Sequence, residues 1–341
     1  ADFDCAKRFG DVITLDFIEA GARGLEGFDQ EQVALLIVDV ATRFAGLYPL
    51  ADRNTHSVCG AIMKFRGQNF ARIRSAYCDR APQFAAALRE LNIPADFSFA
   101  GDPQSNGLVE SWVRLACKSA RALLFAAGLP DCFWYLAAQH AVHARNILVR
   151  DGTSPWFERH GRHFAGMPVP FGSRVSYKPP PTTKERQTMT KGDPQTTVGI
   201  FLGYELVYGC LWRGGYVVAP MADFGGVALH SRSRSAARLV SAVTVPTIRL
   251  HPGDVFFPCK EDYDKLRGTL DGVRQAQRQL YVEAMTEPGP FDPGYQPDVN
   301  APQQQQQQFD TTTPNVEVQS TRRDGDADGT ASGRINSIPG G

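Results

Sequence analysis

Residues 33–50 read Val-Ala-Leu-Leu-Ile-Val-Asp-Val-Ala-Thr-Arg-Phe-Ala-Gly-Leu-Tyr-Pro-Leu. Val33–Val40 is a strongly apolar strand, Ala41-Thr42-Arg43 is a turn, and Phe44–Leu50 is a hairpin partner. A shorter apolar strand, Val12–Ile18, precedes them. Asn54 then reads as the N-cap of a helix running to about Phe70, followed by a fourth strand over Ile73–Cys78. Pro82–Leu91 repeats apolar residues at helical spacing, Phe97–Phe99 is a brief fifth strand, and Asn106–Ala127 and Cys132–Leu148 are amphipathic helices. The order is β-β-β-α-β-α-β-α. A hairpin followed by βα units implies an α/β fold: a mixed five-stranded sheet flanked by helices on both faces.

That order is the order of the RNase H-like fold, whereas Rossmann folds do not begin with a hairpin. Residues 1–10 are a lead-in and 11–150 the RNase H-like core. Over 151–265 the signals change to short β runs punctuated by glycine, among them Val198-Gly199-Ile200-Phe201-Leu202-Gly203-Tyr204 and Trp212–Val218, so a small β-rich module is expected. Residues 266–285 read as a helical extension. From 286 to 341 the chain is Pro-rich, holds six glutamines (303–308) and is acidic, a composition expected to stay disordered.

Hydrophobic residues make up 43% of the 341-residue chain and charged residues 21%, an ordinary globular composition. The net charge of zero is asymmetric. After residue 285, eight Asp/Glu against three Arg leave −5, so residues 1–285 carry +5. No apolar run approaches the roughly 18 residues a membrane span needs, so no membrane association is expected. The chain opens on Ala1-Asp2-Phe3-Asp4 without Met or a leader-like stretch, and reads as a piece of something longer. Seven scattered cysteines with no Cys-x-x-Cys pair support neither a disulfide framework nor a zinc knuckle, and fit a reduced compartment.

Three carboxylates fit this topology. Asp16 lies in the first strand, Asp79 ends the fourth, and these strands are neighbours in such a sheet. Glu110 sits in the first turns of the long helix. Clustered carboxylates repel one another unless they share hard divalent cations, and two such ions suit in-line phosphoryl transfer. Spacing alone is weak evidence among 36 acidic residues. Asp39, interrupting an apolar strand, is read as orienting the following turn rather than as catalytic.

The segments around these residues resemble the integrase catalytic core of copia-type retroelements, within the DDE family of integrases and transposases. Gly10–Asp16 resembles the family's opening strand and Tyr77–Phe84 the segment of its second Asp. Pro103-Gln104-Ser105-Asn106-Gly107-Leu108-Val109-Glu110 resembles its most specific motif, a Pro-Gln-x-Asn-Gly turn leading to the catalytic Glu. Ala122-Leu123-Leu124, Leu129-Pro130, Phe133-Trp134, Pro155–Glu158 and Gly199–Tyr204 also follow the family, so that the likeness spans roughly residues 8 to 265. Departures are a shorter Asp79–Glu110 spacing, Arg80 in place of Asn, and Ser111-Trp112 in place of a charged pair. No zinc-binding His/Cys domain and no reverse transcriptase signature are present.

The resemblance implies Asp16, Asp79 and Glu110 as catalytic residues and as ligands of two Mg2+ (or Mn2+) ions. It implies DNA strand transfer on element ends and target DNA, action as a homo-multimer, and a nuclear location after a cytoplasmic stage. Arg114, Lys118 and Arg121, at +4, +8 and +11 from Glu110, form a basic stripe that either contacts DNA or is a solvated helix face. Asn106 either caps the helix or touches substrate. His140 and His143 lack a third ligand and read as packed or surface histidines. Tyr204, Trp212 and Tyr216 either pack in the β module or stack on nucleic acid. Two other readings stay open: a catalytically silent, domesticated nucleic-acid-binding module, and an RNase H-like nuclease, which the Pro-Gln-x-Asn-Gly turn and the β module disfavour.

Overall fold

The chain folds around the hairpin that opened the sequence. In the computed structural model, β2 (Val33–Asp39) pairs antiparallel with β3 (Ala45–Leu50) on one side and with β1 (Val12–Glu19) on the other. β4 (Ser75–Cys78) runs parallel to β1, and β5 (Ala95–Phe97) runs parallel to β4. The sheet order is therefore β3-β2-β1-β4-β5, the mixed five-stranded RNase H-like sheet expected from the element order. The description covers residues 6–19, 27–68, 72–98, 107–227, 229, 239–250, 253 and 255–265, all within one compact unit, Ala1–Met285. The expected helical extension, the acidic tail and the loop carrying Asn106 lie outside the described residues.

Both faces of the sheet are covered, which is why β2 is buried at every position. Alternation along the strands sorts the side chains. Ile13, Leu15, Leu35 and Ile37 face one core, shared with Val58, Ile62 and Phe65 of α1 (Thr55–Arg66) and with Phe84 and Leu88 of α2 (Pro82–Glu90). Ile18, Ala34, Leu36 and Val38 face a second core under α3 (Gly107–Ala127) and α4 (Trp134–Ile147). α3 buries Val109, Trp112, Ala116, Ala120, Leu124 and Ala127, a stripe at helical spacing whose alanines let the backbone approach closely.

Local chemistry fixes the ends of these elements. Asn54 caps α1 as its sequence foretold: its side-chain oxygen accepts from Ser57 N at 2.7 Å. Gly67, at φ +86°, ends the helix in a conformation that disfavours side chains. The fifth strand is displaced from its expected place, spanning Ala95–Phe97 rather than Phe97–Phe99. Asn92 at φ +53° ends the turn after α2 early, and Ala76 N donates to Pro94 O at 2.9 Å, bringing the chain into the sheet sooner. Edge strand β3 is covered by α4. The Asn146 amide accepts from Ala45 N at 3.0 Å and donates to Ala45 O at 2.7 Å, and Gln139 donates to Leu47 O at 3.0 Å, occupying groups that an edge leaves unpaired.

Beyond the core, β6 (Arg174–Tyr177), β7 (Thr197–Val207), β8 (Leu211–Pro220), β9 (Val243–Val245) and β10 (Ile248–Leu250) build a second, antiparallel sheet of order β10-β6-β7-β8-β9. It is not set apart from the first. Phe171, Ile200, Leu202 and Ala219 enter the core under α3 and α4, while Phe201 and Val218 fill the sheet's own core with Val175 and Tyr177. The tip of the β7–β8 hairpin reaches α1, where buried Cys210 meets the Tyr48 hydroxyl at 3.0 Å.

Candidate active site

The three acidic residues singled out by sequence come from β1, β4 and α3. In β1, Ile13 and Leu15 face the α1/α2 core, so alternation turns Thr14, Asp16 and Ile18 toward α3. In β4, Ala76 and Cys78 take the α1/α2 face, so Tyr77 and, one step past the strand, Asp79 take the α3 face. Leu15 is paired with Cys78, which sets Asp16 and Asp79 at the same level of adjacent parallel strands. α3 packs on β1 with its first turn carrying Glu110, which is exposed.

Asp16 is the carboxylate most altered by this placement. Burial pushes its carboxyl up to about 6; the Phe17 N–H, donating to Oδ1 at 2.7 Å, works in the opposite direction, and the charges of Asp79 and Glu110 push it up further. Asp79 is exposed and accepts from Ala81 N at 3.3 Å. Cys78, beside Asp79 in the chain but on the opposite face of the sheet, has its buried thiol pushed up to about 12 by burial first and then by the charges of Asp79 and Asp16. The Phe17 N–H is the part of the site that sequence reasoning missed, and only its hydrogen bond to Asp16 reveals it.

The three carboxylates feel one another, but they do not form a finished ligand shell. Among the described residues, no three His, Cys, Asp or Glu side chains lie close enough to hold one metal ion. Asp79 and Glu110 are exposed to solvent and Asp16 is half-buried. The donor set is nonetheless all oxygen and anionic, the kind that hard divalent cations take.

Arg114, Lys118 and Arg121 are all exposed and continue the line of Glu110 along α3. Arg121 Nε also donates to Cys117 O at 3.2 Å, a bond local to the helix. Ser111, where the resemblance expects a charge, donates to Leu108 O at 2.7 Å, and Trp112 is buried. Asp39 does orient its turn. It is fully buried and accepts from Gly10 N (2.8 Å), Thr42 N (2.8 Å) and Thr42 Oγ1 (2.7 Å). His143 is buried against Trp156, Phe164 and Tyr204, and His140 stacks on Tyr204, so both histidines are packed. Tyr204 and Trp212 are likewise committed to the fold. The Tyr204 hydroxyl donates to Met167 O at 2.8 Å and Trp212 Nε1 donates to Gly215 O at 2.7 Å. The six described cysteines are free, and no described helix is long and apolar enough to cross a membrane.

No family model matches the chain. By sequence it is similar to the Transposon Ty1-DR6 Gag-Pol polyprotein of Saccharomyces cerevisiae, 26% identical over 153 residues covering 40% of this chain. The Transposon Ty1-DR4 Gag-Pol polyprotein of the same yeast is similar to the same extent. The chain spans only 8% and 9% of the lengths of these two polyproteins. Among solved structures, the catalytic core domain of BIV integrase covers 43% of this chain and 91% of its own, at 15% identity and a TM-score of 0.32. At that score the strand order, and not the superposition, carries the fold. The strand order defines the fold class, an RNase H-like one. More narrowly, its sequence is similar over those 153 residues to the Ty1 Gag-Pol polyproteins.

Proposed function

We propose that the chain is the integrase segment of a retrotransposon polyprotein, a polynucleotidyl transferase that trims a DNA 3′ end and joins it to a target phosphodiester. The observation that carries this reading is that Asp16 and Asp79 stand level on adjacent parallel strands, on the face that α3 covers, with Glu110 in the first turn of α3.

In this reading Asp16, Asp79 and Glu110 would together hold two Mg2+ (or Mn2+) ions. When bound, the ions supply activation of the attacking hydroxyl and stabilisation of the leaving oxygen. The protein's own part is positioning. α3 presents Arg114, Lys118 and Arg121 in line with Glu110, so a DNA backbone drawn to that stripe brings its phosphate to the carboxylates. The strands β1 and β4 hold the two Asp residues in register, and Glu110 stands in the first turn of α3. DNA ends and target DNA are the partners, a homo-multimer is the working form, and the nucleus is the place of action.

The test is joining of a labelled duplex, pre-trimmed at its 3′ end, into plasmid with Mg2+ or Mn2+, beside Asp79→Asn and with the reverse disintegration reaction in parallel. Joined product that Asp79→Asn abolishes supports the reading. A silent, domesticated nucleic-acid-binding module is the second reading, suggested by Arg80 where the resemblance expects Asn and by the shortened Asp79–Glu110 spacing. Salt-sensitive DNA binding with neither joining nor cleavage would decide for that reading, and cleavage without joining for a nuclease.

A further inference from the structure

At the end of the first sheet opposite the carboxylates, the lead-in, β4 and the β7–β8 hairpin gather positive charge. Arg74 N donates to Gly10 O at 2.7 Å, and the Arg72 carbonyl lies so close to Gly10 that a Cβ there would sit 2.4 Å from it, which brings residues 72–74 against residues 7–10. Phe9 packs against Phe65, tilted at 35° with ring centroids 5.4 Å apart, and lies under the Arg159 guanidinium at 3.5 Å. Arg159 donates to Arg66 O at 2.9 Å. Next to it Gly67 and Gly209 are in backbone contact, and Arg213 donates to Gln68 Oε1 at 2.6 Å. Lys7, Arg8, Arg72, Arg74 and Arg213 thus fall on one continuous surface, and all five are exposed. Two carboxylates oppose them: Asp11, paired with Arg74 at 3.3 Å, and the exposed Glu205 on the hairpin. At the hairpin tip, between β7 and β8, Tyr208 stands 49% exposed.

We propose that this end of the molecule is a second nucleic-acid-binding surface. Lys7, Arg8, Arg72, Arg74 and Arg213 meet the phosphate backbone there, and Tyr208 supplies a stacking platform for an unpaired base. Cations interleaved with an exposed aromatic are the combination that single-stranded and frayed nucleic acid uses, whereas a purely cationic face would fit any polyanion. The surface is separate from the α3 stripe. Arg74 and Asp79 flank opposite ends of β4, about 16 Å apart along an extended chain, so the two surfaces hold different segments of nucleic acid. The inference concerns binding alone and stands whether or not the chain joins DNA.

The experiment measures anisotropy of a labelled short duplex of arbitrary sequence, and of a single strand, against salt. It uses the full chain in an Asp79→Asn background, so that failure of the joining reaction leaves the readout intact. The charge-reversal variant Lys7→Glu/Arg72→Glu/Arg213→Glu is compared with Arg114→Glu/Lys118→Glu/Arg121→Glu, each checked for an unchanged melting temperature. The first variant is expected to reduce the magnitude of the log K against log salt slope by about 2.7, three contacts at about 0.9 each. Tyr208→Ala is expected to weaken single-strand binding about fivefold or more with little change for the duplex. If the triple variant melts early, Lys7→Glu and Arg213→Glu singly, both at exposed positions, should each reduce the slope by about 0.9. An unchanged slope in well-folded variants overturns the proposal. So does binding that these variants lose toward phosphatidylserine vesicles but keep toward DNA, which would make the surface a membrane contact.

Discussion

Asp16 and Asp79 sit at the same level of two parallel strands, one residue beyond the Leu15–Cys78 register pair, with their side chains on the face that α3 covers. A one-residue slip of either strand would turn its carboxylate into the α1/α2 core. The pair is therefore as secure as the hydrophobic alternation that fixes the register.

Asp79→Asn keeps the shape of an exposed residue and removes its charge. Joining and disintegration are expected to fall below detection, while the melting temperature moves by no more than about 1–2 °C, because exposed substitutions change stability little. A variant that joins DNA at the parent rate would remove Asp79 from the mechanism.

Asp16→Asn is expected to stabilise the protein. Burial first, then the charges of Asp79 and Glu110, push the folded-state carboxyl of Asp16 up to about 6, above the ordinary carboxylate range. Its favourable share of stability is present below the unfolded value and is lost as pH rises through about 6, where the buried group must ionise. Thermal melts at pH 7.5 without divalent cations should show a gain of about 1 kcal/mol for the variant, shrinking toward zero below pH 4. Added Mg2+ should narrow the difference at pH 7.5 by stabilising the parent. A constant offset across pH would show that the carboxyl is not strained by its neighbours.

The buried histidines set the acid limit. Burial lowers His143 to about 3 and His140 and His160 to about 4, and both ring nitrogens of His143 lack hydrogen-bond partners. Values depressed below the unfolded 6.5 contribute stability that is present above pH 6.5 and lost as pH falls through 4 to 3. His143→Phe, which keeps the aromatic packing against Trp156 and Phe164, should flatten the melting-temperature profile between pH 6 and 4. An unaltered slope would assign the acid loss to other groups.

Asn146→Leu removes both hydrogen bonds to Ala45 and leaves a buried strand edge unpaired. The loss should be about 2–3 kcal/mol by urea unfolding, and hydrogen exchange should quicken first along β3. Gly209→Ala tests the other junction. With φ at +79° and a Cβ that would stand 3.3 Å from the Gly67 Cα, it should lose about 1–2 kcal/mol. If exchange then rises only in the hairpin, the tip is anchored there but does not support the core.

Sequence by itself determined the sheet and the caps. The Val33–Leu50 hairpin, the helical stripes of α1 to α4 and the Asn54 cap are local patterns, and each is written in residues close together in the chain. It also singled out Asp16, Asp79 and Glu110, because strand ends and a helix start are legible places. Tertiary structure decided what depends on neighbours distant in sequence. The place of β5 followed from pairing with Ala76. The joining of the second sheet to the first came from Ile200 and Leu202 entering the α3/α4 core and Cys210 meeting Tyr48. The burial and mutual influence of the three carboxylates also belong there. That balance of repulsion, burial and solvent is set by angstrom-scale distances between elements, and no local pattern of residues encodes those distances.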